Sequence, residues 1–263
     1  LIKKYAKKIN LVNKKGRFVL QKTSWFKREI NEIDIALPIV HGQGTEDGTI
    51  QGYLELLGIP YVGCNILASS VCMDKIYTKA ILKKVSDVSP DITIIKENKD
   101  LYYYDDLKLV KKVNIKDIDK LINEKLNYPV FIKPSRFGSS VGVTKVKNGK
   151  SLKRALLEAL KYDNEVLIEK EIKGRELECA VLCGKSLEVG EVLSAEEFYD
   201  YDAKYQNEES KTVIPANIPK EIKKNIKDIA ELAFRATNCK GLARVDFFLE
   251  NKTNKIIINE INT

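Results

Sequence analysis

The chain has 263 residues, 44% of them hydrophobic and 31% charged, a balance that supports a sizeable core and excludes an intrinsically disordered chain. Its formal net charge is +8, but the lysines are spread among many Asp and Glu with no aromatic–basic cluster that could stack bases, so a nucleic-acid partner is not expected. No apolar run approaches the ~20 residues of a membrane span, and the charged stretch Leu1 to Asn10 lacks the apolar core of a secretory signal.

Ile33 to Val40 is apolar enough for a buried strand, and it delivers the glycine-rich turn H-G-Q-G-T-E-D-G that begins at His41. Thr49 to Leu57 reads as a helix closed by Gly58, and Ile59 to Gly63 as a further short strand. Strand, loop, helix, strand is the order of an open α/β domain, whose ligands gather at strand carboxyl ends, so His41 is a candidate site residue. Cys64 to Val85 continues as a helical stretch carrying Met73-Asp74-Lys75, where Lys75 alone reads as a solvated surface charge. Residues 87–106 have weak periodicity; Ile115 to Leu126 reads as a helix.

Phe131 to Val146 reads as strand, loop, strand, with Lys133 at the end of the first strand and Gly138-Ser139-Ser140-Val141-Gly142 between. Glycines permit close backbone approach, and the N–H and hydroxyl donors beside a strand-end lysine are a way to hold phosphate oxygens. The same five residues fit the G-x-S-x-G of a hydrolase elbow. That elbow requires a following helix and a downstream histidine, whereas a strand follows here and His41 lies upstream. The hydrolase reading is rejected.

Ser151 opens a helix with Leu152, Ala155, Leu156, Ala159 and Leu160 on one face, followed by a strand from Asn164 to Lys170. Leu177 to Cys183 and Leu187 to Leu193 form a hairpin turning at Gly184-Lys185. The stretch Ser194 to Ser210, containing F-Y-D-Y-D-A-K-Y, is long and aperiodic, as a functional lid would be. Pro219 begins a helix to Thr237. Leu242 to Leu249 and Lys255 to Ile261 are strand-like; alternation puts Arg244 and Asp246 on one face, and Glu260 and Asn262 on one face of the other strand. With Asp246 opposite Glu260, two carboxylates would stand roughly 5 Å apart and repel without a cation. Oxygen-only donors are the set that suits Mg2+ bridging phosphates.

Cysteines at 64, 72, 179, 183 and 239 lack paired C-x2-C spacing, and with a single histidine they exclude a His/Cys metal centre. Buried, reduced thiols of a cytoplasmic protein are expected. The chain begins at Leu1 without a methionine and ends inside N-E-I-N-T, so further segments are expected at both ends.

Taken in order, H-G-Q-G-T-E-D-G-T-I-Q-G at His41, G-I-P-Y-V-G-C at Gly58, C-M-D-K at Cys72, I-K-P-S-R-F-G-S-S-V-G-V at Ile132, L-I-E-K at Leu167, F-Y-D-Y-D-A-K-Y at Phe198, G-L-A-R-V-D-F-F at Gly241 and N-E-I-N-T at Asn259 closely resemble the D-alanine–D-alanine ligases of the ATP-grasp superfamily. The resemblance implies an α/β (α+β) chain: a remnant of an open α/β domain at residues 1–70, a central ATP-grasp part at 71–170 and a C-terminal part at 171–263. It implies two D-alanine molecules joined through an acyl phosphate for peptidoglycan synthesis, in a cytoplasmic homodimer. D-Alanine–D-serine ligases and a non-catalytic nucleotide-binding relative are the alternatives.

The family's roles carry over residue by residue. Lys75, Lys133 and Ser140 would meet ATP phosphates, and Lys204 would reach the γ-phosphate. Glu169, Lys170 and Ile172 would line the adenine pocket, and Glu176 would bind the ribose. Asp246, Glu260 and Asn262 would hold two Mg2+ ions, with Mn2+ an acceptable substitute. Arg244 would brace the acyl phosphate, Ser139 and Tyr205 would orient the substrates, and His41 would lie near the first D-alanine. Two parts of the family pattern are missing from this sequence: an N-terminal glycine-rich loop bearing a substrate-binding glutamate, and the contacts that follow N-E-I-N-T. The D-A-K-Y lid resembles that of the dipeptide-forming members rather than the D-lactate-using ones.

Overall fold

A computed structural model of the protein describes residues 9–23, 25–138, 140–193 and 211–263. These form three antiparallel sheets and the helices that cover two of them.

The first sheet has the order β1-β2-β3, from β1 (Ile9–Lys14), β2 (Arg17–Lys22) and β3 (Glu29–Ile33). Three short helices follow: α1 (Thr49–Leu57), α2 (Ile66–Met73) and α3 (Lys75–Leu82). Gly58 ends α1 at φ 74°, the left-handed cap expected of it. The strand expected over Ile33 to Val40 does not form. Residues 34–40 make one isolated parallel bridge, Ala36 to Tyr61, and Leu37 and Ile39 stay exposed. They belong to none of the three sheets and, among the described residues, pair only with the Pro60 to Val62 segment through Ala36, so Ile35 and Val40 stay exposed as well. The expected strand at Ile59 to Gly63 is likewise reduced to that bridge. The helix expected from Cys64 to Val85 is two helices. Asp74 is extended at their junction and its carboxylate caps α3, accepting from the N–H groups of Ile76 and Tyr77.

The second sheet runs β6-β5-β4-β9-β7-β8. Its members are β4 (Asp91–Glu97), β5 (Asp100–Asp105), β6 (Lys108–Val113), β7 (Val130–Pro134), β8 (Thr144–Val146) and β9 (Glu165–Lys170). Helices α4 (Ile115–Lys125) and α5 (Gly149–Ala159) cover one face. Ile118, Ile122, Leu152 and Leu156 pack there against Ile94, Ile132, Val166 and Ile168 in one core. A capping box between Asn114 and Asp117 starts α4. Asn148, not Ser151, caps α5, so the cap lies three residues earlier than expected. Alternation then fixes the other face. With Ile132 and Ile168 buried in the core, Phe131, Lys133 and Glu169 must point away from it.

The third sheet has the order β12-β11-β10-β13-β14, from β10 (Gly174–Leu182), β11 (Lys185–Leu193), β12 (Lys211–Val213), β13 (Leu242–Glu250) and β14 (Ile256–Asn262). The β10–β11 hairpin closes through Cys183 and Gly184, both at positive φ as a tight two-residue turn requires. Helix α6 (Lys220–Ala236) buries Ile226, Ala230, Ala233 and Phe234 against Leu177, Cys179, Val181, Val245 and Phe247. That leaves Glu176, Glu178, Arg244 and Asp246 on the uncovered face.

Candidate active site

The uncovered faces of the second and third sheets border two adjoining cavities of about 640 Å³ and about 300 Å³. Lys75, Gly138, Glu176 and Glu260 line both. The larger also meets Lys133, Ser140, Glu169, Lys170 and Ile172. The smaller meets His41, Arg244, Asp246 and Asn262. All expected site residues within the described ones therefore lie on these walls. Ser139, Lys204, Tyr205 and the expected lid at 194–210 fall outside the described residues.

At the floor of the larger cavity Glu169 is 4% exposed. One of its oxygens lies 2.5 Å from Lys133 Nζ, and the other accepts from Lys79 Nζ and, at 2.8 Å, from the Ser89 hydroxyl. Burial alone would raise the Glu169 carboxyl, but the two lysines hold it well below the usual carboxylate range. Burial works against the Lys133 ammonium too, yet Glu169 keeps its pKa above the ordinary lysine value. Lys75 has its pKa lowered, by burial first and by repulsion from Lys133 as a further cause, with Glu260 opposing. Its Nζ donates to the Phe137 carbonyl at 2.7 Å, which ties the start of the glycine loop to α3. Asp74 and Ser135 fasten that junction, the hydroxyl donating to the carboxylate at 2.6 Å. Two clustered ammonium groups facing a cavity suit a polyanion.

In the smaller cavity β13 and β14 pair in the expected register, Asp246 opposite Glu260 and Arg244 opposite Asn262. A bulge at Asn259 shifts the phase of β14. It lets Ile258 and Ile261 both reach the core while Glu260 and Asn262 face the cavity. Arg244 grips Asp246 with two bonds, Nε to Oδ1 at 2.7 Å and Nη2 to Oδ2 at 2.8 Å. Asn262 Nδ2 donates to Asp246 Oδ2 at 2.8 Å, which leaves the Asn262 amide oxygen for another partner. Burial raises the Asp246 carboxyl above its ordinary value, Glu260 and Glu178 adding to the rise and Arg244 opposing it. A cation would relieve that cost. Among the described residues no group of three His, Cys, Asp or Glu side chains is disposed to hold a metal by itself. The set that fits is two carboxylates completed by the Asn262 amide, all hard oxygen donors suited to Mg2+.

His41 is largely exposed and its Nδ1 lies 3.5 Å from Glu46 Oε1. Glu46, Asp74, Lys79, Ser89 and Glu178 are site residues that the sequence reading missed. The signal for Asp74 was present, an Asp directly before a helical run. Lys79 and Glu178 carried none, since only the tertiary fold sets them beside Glu169 and Arg244.

The model of the D-ala D-ala ligase C-terminus matches residues 101–263, and that of the D-ala D-ala ligase N-terminus matches residues 3–64. A D-alanine–D-alanine ligase of Acetivibrio thermocellus is 49% identical over 235 residues, covering 88% of this chain and 60% of the relative. One of Clostridium acetobutylicum is 44% identical, covering 88% and 65%. The chain thus spans less than two thirds of the length of these relatives. Among solved structures, the VanG D-Ala:D-Ser ligase from Enterococcus faecalis superposes with a TM-score of 0.77 at 34% identity, covering 98% of this chain and 70% of that one. The D-alanine–D-alanine ligase from Coxiella burnetii superposes with 0.79 at 30% identity, covering 99% and 66%. The α/β architecture is the ATP-grasp fold of these neighbours. No helix among the described residues is long and apolar enough to cross a membrane. With a family model matched across most of its length, the chain belongs to the D-alanine–D-alanine ligase family.

Proposed function

We propose that the protein is an ATP-dependent ligase that joins two D-alanine molecules into D-alanyl-D-alanine for peptidoglycan synthesis. The observation that carries this reading is the junction of the two cavities at Lys75, Glu176 and Glu260. A nucleotide in the larger one would direct its phosphates past Lys75 and Lys133 toward Arg244, Asp246, Glu260 and Asn262.

A carboxylate oxygen of the first D-alanine takes the γ-phosphoryl group and ADP leaves. The amine nitrogen of the second D-alanine then attacks the acyl carbon, phosphate departs with the C–O electron pair, and the amine loses a proton. Lys75, Lys133 and Ser140 bind phosphate oxygens, aided by Lys204. Glu169, Lys170 and Ile172 line the adenine pocket and Glu176 takes the ribose hydroxyls. Arg244 braces the acyl phosphate and the oxyanion that follows. Ser139 and Tyr205 orient the substrates, with His41 beside the first. Asp246, Glu260 and Asn262 would hold the divalent cation, two Mg2+ ions with Mn2+ as substitute, whose charge would neutralise the phosphates. The reading includes a three-part chain divided near residues 70 and 170, a homodimer, and a cytoplasmic location where ATP is available; sedimentation as a monomer would remove the dimer from it.

D-Serine as second substrate is the alternative, favoured by the likeness to a D-Ala:D-Ser ligase. The test is phosphate release with D-alanine, D-serine and D-lactate in competition. Release that needs both ATP and D-alanine supports the ligase. Bound nucleotide with no release at saturating substrates would instead mark a non-catalytic nucleotide-binding relative.

A further inference from the structure

Three carboxylates stand in one row across the third sheet. Asp246 on β13 is directly opposite Glu260 on β14 and directly opposite Glu178 on β10. Glu178 lines the smaller cavity, and no step of the reaction above uses it. Gly190, its partner on β11, presents no side chain, and a Cβ there would come within 3.3 Å of Glu178 Cγ. The stem of Glu178 shares that space with Ile214, whose Cγ1 would lie 3.1 Å from such a Cβ.

What Glu178 touches is Arg244: its Oε2 lies 3.3 Å from Arg244 Nε, the same nitrogen that donates to Asp246 Oδ1 at 2.7 Å. The guanidinium therefore has two anionic neighbours, Asp246 as its hydrogen-bond acceptor and Glu178 as a looser ion-pair partner. Its stronger hold covers both oxygens of Asp246, the carboxylate assigned to the cation. The bidentate grip takes the lone pairs that converge between the two Asp246 oxygens, the positions a chelated cation would also use, so cation binding competes with the pair and favours a turn of Arg244 away from Asp246. An arginine released into a polar cavity samples many rotamers unless a second anion holds it.

We infer that Glu178 is a positioning residue that receives Arg244 when the divalent cation takes Asp246, so that cation loading and placement of the arginine over the reacting groups are one exchange. This rests on the proposed metal role of Asp246. It makes Glu178 a determinant of cation affinity that is itself no ligand, acting only while Arg244 is present.

The test is a double-mutant cycle read by Mn2+ binding in the presence of a non-hydrolysable ATP analogue, with free Mn2+ quantified by its EPR signal. Glu178→Gln keeps the side-chain shape and removes the charge; it should weaken Mn2+ binding by about threefold to tenfold, in the lower part of the range for residues in direct contact. In an Arg244→Ala background the same Glu178→Gln change should alter Mn2+ affinity by less than about twofold, because no arginine is left to relocate. Glu178→Asp, which keeps the charge, should restore part of the affinity. An unchanged Mn2+ affinity in Glu178→Gln overturns the inference. So does a loss of equal size with and without Arg244, which would mean that Glu178 acts on the cation directly. Asp246→Asn separates the two levels: if it leaves Mn2+ binding intact, the metal role of Asp246 fails and the exchange with it, whereas its loss alongside an inert Glu178→Gln overturns the exchange alone. Unchanged far-UV circular dichroism and thermal midpoint in each variant exclude unfolding as the cause.

Discussion

Lys133 Nζ and Glu169 Oε2 lie 2.5 Å apart on the cavity face of adjacent strands β7 and β9, and the other Glu169 oxygen is held by Lys79. Glu169 is thus clamped from both sides and aims Lys133 into the cavity. Breaking a buried pair strands the remaining charge at a cost of roughly 3–5 kcal/mol. Glu169→Gln should lower the thermal midpoint by on the order of 10 °C for a chain of this length and weaken ATP binding at least about tenfold. Calorimetry and titration with a fluorescent ATP analogue measure the two effects. Undiminished ATP affinity would remove Lys133 from the phosphate site.

The same clamp sets an acid dependence. The Glu169 pKa is depressed in the fold, so its contribution to stability is full above the unfolded value of about 4.3 and is lost as pH falls toward the lower folded value. The unfolding free energy should decline from about pH 5 downward, and this part of the slope should vanish in Glu169→Gln. A variant slope identical to that of the unsubstituted protein in urea melts at pH 3 to 5 would contradict it.

Arg244→Ala removes a charge whose partner forms mainly during reaction, so turnover should suffer far more than ATP affinity. Loss of an oxyanion donor costs about 10²–10³ in kcat. The expected result is a fall of that order in phosphate release with the ATP dissociation constant changed less than about threefold. Equal losses in both would assign Arg244 to ground-state binding.

Gly142 sits at φ 70°, where a Cβ would come within 2.7 Å of Tyr162 Cδ2 and 2.8 Å of Pro134 Cγ. Gly142→Ala should destabilise the fold by roughly 1–3 kcal/mol through strain and overpacking and weaken nucleotide binding by displacing the loop. An unaltered melting temperature would show that the loop can yield.

Much of this site was legible because strand alternation and antiparallel pairing are local rules. Arg244, Asp246, Glu260 and Asn262 could be put on one face from spacing alone, and the register agrees. The bulge at Asn259 was hidden because Ile256-Ile257-Ile258 is apolar throughout and gives no phase. Strands β4 and β5 were invisible between 87 and 106, where the tyrosines and charges give no clear period, and it is pairing that organises them: β4 with β9 and β5, and β5 with β4 and β6. Ile33 to Val40 misled for the opposite reason: its composition asks for a sheet that the described residues do not supply.

The most direct test of the account is the structure of the protein with Mg2+ and an imido analogue of ATP. Adenine should lie in the larger cavity beside Glu169 and Ile172, the phosphates against Lys75 and Lys133, and the cation on Asp246, Glu260 and Asn262. Nucleotide bound away from Lys133, or a cation seated on other residues with Arg244 still paired to Asp246, would contradict it.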